Sequence, residues 1–127
     1  MSRKRFALYV TANPISRQGQ LSALRFAEAA LAGGHQIARV FFAGDAVLVG
    51  HTELDIPSDE PALQQRWQTL VDADGTELLL CSAAAQRYGL KADPDGKHNL
   101  AAHFSISGLG SLVECTLDCD RVIHFPG

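Results

Sequence analysis

Cys81 is the residue whose type and position best suit nucleophilic or sulfur chemistry in this sequence. It directly follows Thr76–Leu80, which is predicted to be a strand, and directly precedes Ser82–Tyr88, which is predicted to be a short helix. In open parallel sheets, ligands and reactive groups collect beyond the carboxyl ends of the strands. Unpaired N–H groups at a helix start also favour a thiolate, the reactive form of cysteine. Cys81 is therefore a candidate nucleophile or sulfur carrier, with a small buried core residue as the alternative.

Cys115 and Cys119 are four residues apart, so a continuous helix would place them on one face. Such a pair could bind a metal or oxidise together, but no second pair of ligands stands nearby in the sequence. We therefore expect Cys115 to pack as a small apolar residue and Cys119 to lie at a helix–strand junction. The sequence predicts no metal site. Three cysteines without a CxxC motif favour a reducing compartment and hence the cytoplasm.

None of the five histidines occurs in an HxH, HExxH or Cys/His zinc spacing. Two of them follow a helix stop or lie in the last predicted strand, and these are expected to be structural: His35 and His124. The other three fall in loops or just before the fourth strand, where each could approach Cys81: His51, His98 and His103. A hydrolytic Cys–His pair would require such an approach.

A glycine-rich turn, Gly108–Gly110, follows a predicted strand and opens a predicted helix, as in a dinucleotide-binding loop. The third glycine of that pattern is absent, because Val113 occupies its place. A P-loop is absent altogether. Close packing of the helix on the sheet is expected to explain the two glycines. Nucleotide binding is thus a weaker alternative, and no cofactor is predicted.

Strands and helices are predicted to alternate along the whole chain. The predicted strands are Phe6–Val10, Gln36–Phe42, Thr76–Leu80, Phe104–Ile106 and Asp120–Phe125. The predicted helices run from about Ser16 to Leu31, over Asp45–Val49, from Ser58 to Asp74, over Ser82–Tyr88 and from Gly108 to about Leu117. This order predicts one α/β domain over residues 1–127, a doubly wound, mostly parallel five-stranded sheet with helices on both faces.

Composition excludes several classes of protein. With 127 residues, 46% of them apolar, the chain can bury a core without disulfides or a structural metal. The net charge of −3 gives no general attraction to nucleic acid or to anionic membranes. No apolar run approaches the roughly 20 residues that span a bilayer. Arg3–Arg5 is basic, but the apolar run after it is too short for a signal peptide.

From about Arg5 to Phe125, the sequence resembles the TusD/DsrE group of the DsrE/DsrF-like sulfur-relay family. The resemblance depends on the order of several short stretches across nearly the whole chain. They are Phe6–Thr11 (FALYVT), Ala32–Gln36 (AGGHQ), Val40–Phe42 (VFF), Pro57–Glu60 (PSDE), Arg66–Gln68 (RWQ), Cys81–Gly89 (CSAAAQRYG), Ser107–Leu112 (SGLGSL) and Cys119–Phe125 (CDRVIHF).

The resemblance implies a single DsrE-like domain in which Cys81 carries sulfane sulfur as a persulfide. A TusA-type carrier would donate this sulfur, and a TusE-type protein would accept it for 2-thiolation of the tRNA wobble uridine. TusB-like and TusC-like chains would complete a dimer of heterotrimers, without a cofactor or metal. The resemblance leaves two alternatives open: DsrE-type transfer in dissimilatory sulfur oxidation, and a non-catalytic scaffold subunit of a TusBCD-like hexamer with a buried, unreactive Cys81.

Overall fold

A computed structural model describes residues 3–15, 18–54, 62–92 and 99–127. Their elements alternate between strand and helix from end to end. In chain order they are β1 (Arg5–Val10), α1 (Gly19–Ala32), β2 (Gln36–Phe42), a 3₁₀ helix (Gly44–Gly50), α2 (Leu63–Asp74), β3 (Glu77–Cys81), α3 (Ser82–Arg87), β4 (Phe104–Ser107), α4 (Gly110–Asp118) and β5 (Arg121–Phe125).

The five strands form one parallel sheet in the order β4-β3-β2-β1-β5. The chain steps outwards from β1 to β4 in one direction and then returns to place β5 on the other side of β1. Because parallel crossovers are right-handed, this reversal puts the last helix on the opposite face from the earlier ones. The predicted doubly wound parallel sheet is confirmed.

Side-chain contacts show which helix covers which face. Phe42 of β2 packs edge-on against Trp67 of α2, with ring centroids 5.3 Å apart. Arg39 of β2 points to the other face, where its Nη1 donates to the carbonyl of Ser111 in α4 at 3.0 Å and to Glu114 at 3.2 Å. Residues 39 and 42 are an odd number apart on one strand, so their side chains point to opposite faces. Helices therefore cover both faces, as predicted.

A single buried amide connects the core to the carboxyl edge of the sheet. Gln20 is fully buried, and its Nε2 donates to the carbonyls of Ala12 at 3.0 Å and Ala46 at 3.1 Å. Its Oε1 accepts a hydrogen bond from Trp67 Nε1 at 3.4 Å. Because buried polar groups are costly unless they are paired, these bonds fix the loop after β1 against the 3₁₀ helix.

Most predicted boundaries agree with the structure within a few residues. The second strand, Gln36–Phe42, has the predicted limits. The predicted stop after Asp74 is confirmed, because Gly75 adopts the left-handed conformation with φ 69°. The predicted helix starts at Ser16 and at Ser58 lie outside the described residues, and α1 and α2 are seen from Gly19 and Leu63.

No helix of the described residues has the length and apolar character that a membrane crossing would require.

Candidate functional site at the carboxyl end of β3

Cys81 occupies the predicted position. It is the last residue of β3 and the residue that immediately precedes the first turn of α3. It is paired with Ser107, the last residue of β4, in the parallel register. The thiol and the Ser107 hydroxyl thus belong to neighbouring strands at the edge where parallel sheets collect their reactive groups.

The Cys81 side chain lies on the face that α4 covers. Glu77, at the start of the same strand, accepts a hydrogen bond from Arg39 Nε at 3.0 Å. The guanidinium of Arg39 also binds α4 through the Ser111 carbonyl. Because residues 77 and 81 are separated by two full strand repeats, their side chains share one face. Arg39 therefore connects β2, the start of β3 and the first turn of α4 on the face that carries Cys81.

The thiol of Cys81 is largely buried. Only 9% of the residue is exposed, and it belongs to the continuous apolar core. Ala84 and Ala85 of α3 are buried members of the same core. A sulfur donor would have to reach Cys81 through a small exposed area. This burial agrees with the alternative of a core residue, whereas the position at the strand end agrees with a reactive one.

Ser107 and Ser111 place a pair of hydroxyl groups next to Cys81. Their Oγ atoms hydrogen-bond to each other, and both residues are half-buried. The sequence alone did not identify these serines as site residues. Their place in the stretch Ser107–Leu112 was the only sequence signal for them. Local periodicity does not show that β3 pairs with β4, so it could not place Ser107 beside Cys81.

Gly108 and Gly110, in the turn between β4 and α4, were expected to allow close packing of the helix on the sheet, and this expectation is wrong. A Cβ atom built on Gly108 or Gly110 would meet nothing within 4 Å, so neither glycine is required for close helix–sheet packing. Neither has a positive φ. The turn beside Cys81 and Ser107 is instead open on its outer side.

The other two cysteines occupy the predicted environments. Cys115 is 2% exposed within α4, and its Sγ accepts a hydrogen bond from Arg39 Nη1 at 3.7 Å. Cys119 caps α4 at its carboxyl end, just before β5, and is half-buried. Among the described residues, no three His, Cys, Asp or Glu side chains are grouped so that they could hold a metal ion.

None of the described histidines makes a hydrogen bond or ion pair with Cys81. His35 accepts a hydrogen bond from the Lys4 amide at 3.0 Å, and His124 bonds Thr11 Oγ1 at 2.9 Å. His51 accepts from a backbone amide in its own turn, and His103 pairs with an aspartate of α2. His98 lies outside the described residues. A hydrolytic Cys–His pair is thus not formed by the described histidines.

The sequence model of the DsrE/DsrF-like family matches residues 4–125, almost the entire chain. The chain belongs to the DsrE/DsrF-like family. Sulfurtransferase TusD of an Enterobacter species is 40% identical over 127 residues, covering 95% of this chain and 99% of that protein. Sulfurtransferase TusD of Klebsiella pneumoniae is 41% identical with the same coverage. These names confirm the prediction of sulfur transfer at the level of the family.

The family also contains a DsrE relative from Allochromatium vinosum, 39% identical over 95% of this chain and 98% of its own length. The crystal structure of the ychN protein from E. coli superposes with a TM-score of 0.78. That match covers 98% of this chain and 100% of the ychN chain at 23% identity, and it supports the fold alone.

Alkylation of Cys119 is expected to depend on pH differently from that of a free cysteine. Burial raises the pKa of the Cys119 thiol, and the neighbouring Cys115 raises it further. Because the thiolate is the form that reacts, the rate of modification by iodoacetamide should keep rising to a higher pH than it does for glutathione. Peptide mass spectrometry across a pH series measures this, with Cys115→Ala as a variant that shifts the rise to lower pH. Coincident profiles for Cys119 and glutathione would contradict the expectation.

Proposed function

We propose that this protein is a sulfurtransferase that carries sulfane sulfur as a persulfide on Cys81. The observation that carries the proposal is the position of Cys81 at the carboxyl end of β3, directly before α3. It is supported by relatives named sulfurtransferase TusD that match nearly the full length of the chain. Reactive groups of parallel α/β sheets lie at this edge, so the position fits the chemistry.

The transfer is a thiol exchange with sulfur as its cargo. The Cys81 thiolate attacks the outer sulfur of the donor persulfide and forms a new S–S bond. The bond between the two donor sulfurs breaks, and the donor leaves as a thiolate that takes a proton from water. An acceptor thiolate then attacks the outer sulfur on Cys81 and releases Cys81 as a thiolate. No oxidant or reductant is consumed in either step.

We further propose a TusA-type donor, a TusE-type acceptor and association with TusB-like and TusC-like chains in the cytoplasm. The sulfur would serve 2-thiolation of the tRNA wobble uridine without contact between this chain and the tRNA. A net charge of −3 supports the absence of such contact, because proteins that bind RNA directly present basic surfaces. The similar identities of the TusD and DsrE relatives keep transfer in dissimilatory sulfur oxidation as the alternative pathway.

The burial of Cys81 favours one further candidate, a non-catalytic scaffold subunit in an assembly of related chains. In that case Cys81, which is 9% exposed, serves only as a small core residue. The two candidates differ in whether sulfur ever becomes attached to Cys81.

The test is to incubate the protein with a persulfidated TusA-type protein and to map added sulfur by peptide mass spectrometry. A chase with a TusE-type protein follows. We expect one added sulfur atom on the Cys81 peptide, which the chase removes. Sulfur found only on Cys115 or Cys119 would contradict the assignment of Cys81, and no added sulfur would favour the scaffold. Measurement of 2-thiouridine in tRNA from cells without this chain distinguishes the two pathways.

A further inference from the structure

We propose that the hydroxyl pair of Ser107 and Ser111 binds the outer sulfur of a persulfide on Cys81. This inference rests on the proposed function and adds to it two residues that hold the cargo. The pair would stabilise the loaded protein between the donor and the acceptor.

The first argument is position. Cys81 and Ser107 are direct partners in the β3–β4 ladder, and neighbouring strands lie about 4.8 Å apart. Paired residues of a parallel ladder project to the same face, so the hydroxyl stands beside the thiol. Among the described residues, Cys81 Sγ has no hydrogen bond with Ser107. A persulfide extends the side chain by an S–S bond of about 2.05 Å, and its outer sulfur lies on the same face of the sheet as the Ser107 hydroxyl.

The second argument is a count of protons. Two hydroxyl groups carry two protons, and the mutual hydrogen bond between Ser107 and Ser111 uses one of them. The second proton has no acceptor in the part of the chain that the structure describes. A deprotonated persulfide carries its negative charge on the outer sulfur and would accept that proton in a charge-assisted hydrogen bond.

The third argument is rigidity. Arg39 donates to the Ser111 carbonyl at 3.0 Å and to Glu77 of β3 at 3.0 Å. The strand that carries Cys81 and the turn that carries Ser111 are thus held by one guanidinium. Hydroxyl groups whose backbone is held in this way need little reordering when a persulfide forms, so their hydrogen bond to it is stronger.

The loading step shows where the bond acts. The Cys81 thiolate displaces the donor thiolate and becomes Cys81–S–SH, which then loses its proton to water. The hydroxyl pair stabilises the anion formed in this last step. Removing one hydroxyl should therefore raise the pH at which the persulfide ionises.

The experiment compares the wild type with Ser107→Ala, Ser111→Ala and Ser107→Thr, each loaded with glutathione persulfide. Ser105→Ala is the matched control, because Ser105 is exposed on the same strand and face but pairs with Leu79 one step away. Intact mass spectrometry follows alkylation of the persulfide across a pH series. A hydrogen bond to a charged group predicts that each alanine variant has about tenfold less ionised persulfide at pH values below its pKa. Ser107→Thr and Ser105→Ala should retain the wild-type profile.

The outcomes separate this inference from the proposed function. If wild type and both alanine variants load and share one pH profile, the hydroxyl pair has no role and Cys81 remains the carrier. If the wild type itself takes no sulfur on Cys81, both proposals are wrong. Circular dichroism of each variant checks that the fold is retained.

Discussion

Replacing Cys81 by serine is expected to lower the rate of sulfur transfer by at least about a hundredfold, since loss of an enzymic nucleophile commonly costs more than this. A serine hydroxyl is not ionised near neutral pH, and it cannot form the S–S bond that holds the cargo. The change from sulfur to oxygen is small, so the fold should persist. Transfer of sulfur from a persulfidated donor to an acceptor thiol, followed over time by mass spectrometry, measures the effect.

The other two cysteines provide matched controls for this experiment. Cys115→Ser and Cys119→Ser each remove one thiol on the same face of the sheet but away from the carboxyl end of β3. Both variants should transfer sulfur at close to the wild-type rate. A Cys81→Ser protein with undiminished transfer would contradict the relay mechanism and leave the scaffold as the better account of this chain.

Replacing Trp67 by alanine is expected to reduce the free energy of unfolding by about 3–5 kcal/mol, the usual cost of deleting a large buried aromatic side chain. Trp67 has no exposed surface, and its ring packs edge-on against Phe42. Its removal leaves a cavity between α2 and the sheet and also leaves Gln20 Oε1 without its partner. Urea unfolding measures the loss. It is followed by circular dichroism, because Trp67 is the only tryptophan in the sequence and the variant has no tryptophan fluorescence.

Leu117→Ala is the control for this prediction. Leu117 also carries a large apolar side chain on a helix, but it is 83% exposed. Its truncation should change the free energy of unfolding by no more than about 0.5 kcal/mol. Equal losses in the two variants would contradict the placement of α2 over the core. Trp67→Phe retains most of the volume and should lie between the two.

The sequence by itself determined the order of the elements and the place of Cys81 among them. The continuous apolar run Phe6–Val10 is a local signature of a strand covered on both faces, and the β-branched and aromatic residues of Gln36–Phe42 are a local signature of the next strand. Glycine after Asp74 ends its helix for an equally local reason, the left-handed conformation. Cys81 follows directly from these local signals, since it stands where one element ends and the next begins.

The helical segment after β2 was harder to predict. Asp45–Val49 was expected as a short helix, and the structure has a 3₁₀ helix over Gly44–Gly50. Most of its residues are buried, and contacts such as the hydrogen bond from Gln20 Nε2 to the Ala46 carbonyl hold their conformation. Periodicity cannot distinguish 3₁₀ from α-helix over so few residues, because the choice is made by packing.

The tertiary structure alone decided the surroundings of Cys81. It buried the thiol, paired Cys81 with Ser107, and placed Arg39 between β3 and α4. These residues are 26 to 72 positions apart in the chain, so no local pattern relates them. Strand register and helix placement are set by the fit of the whole core, whereas element order follows from local propensity. That difference is why the candidate cysteine could be found from sequence and its neighbours could not.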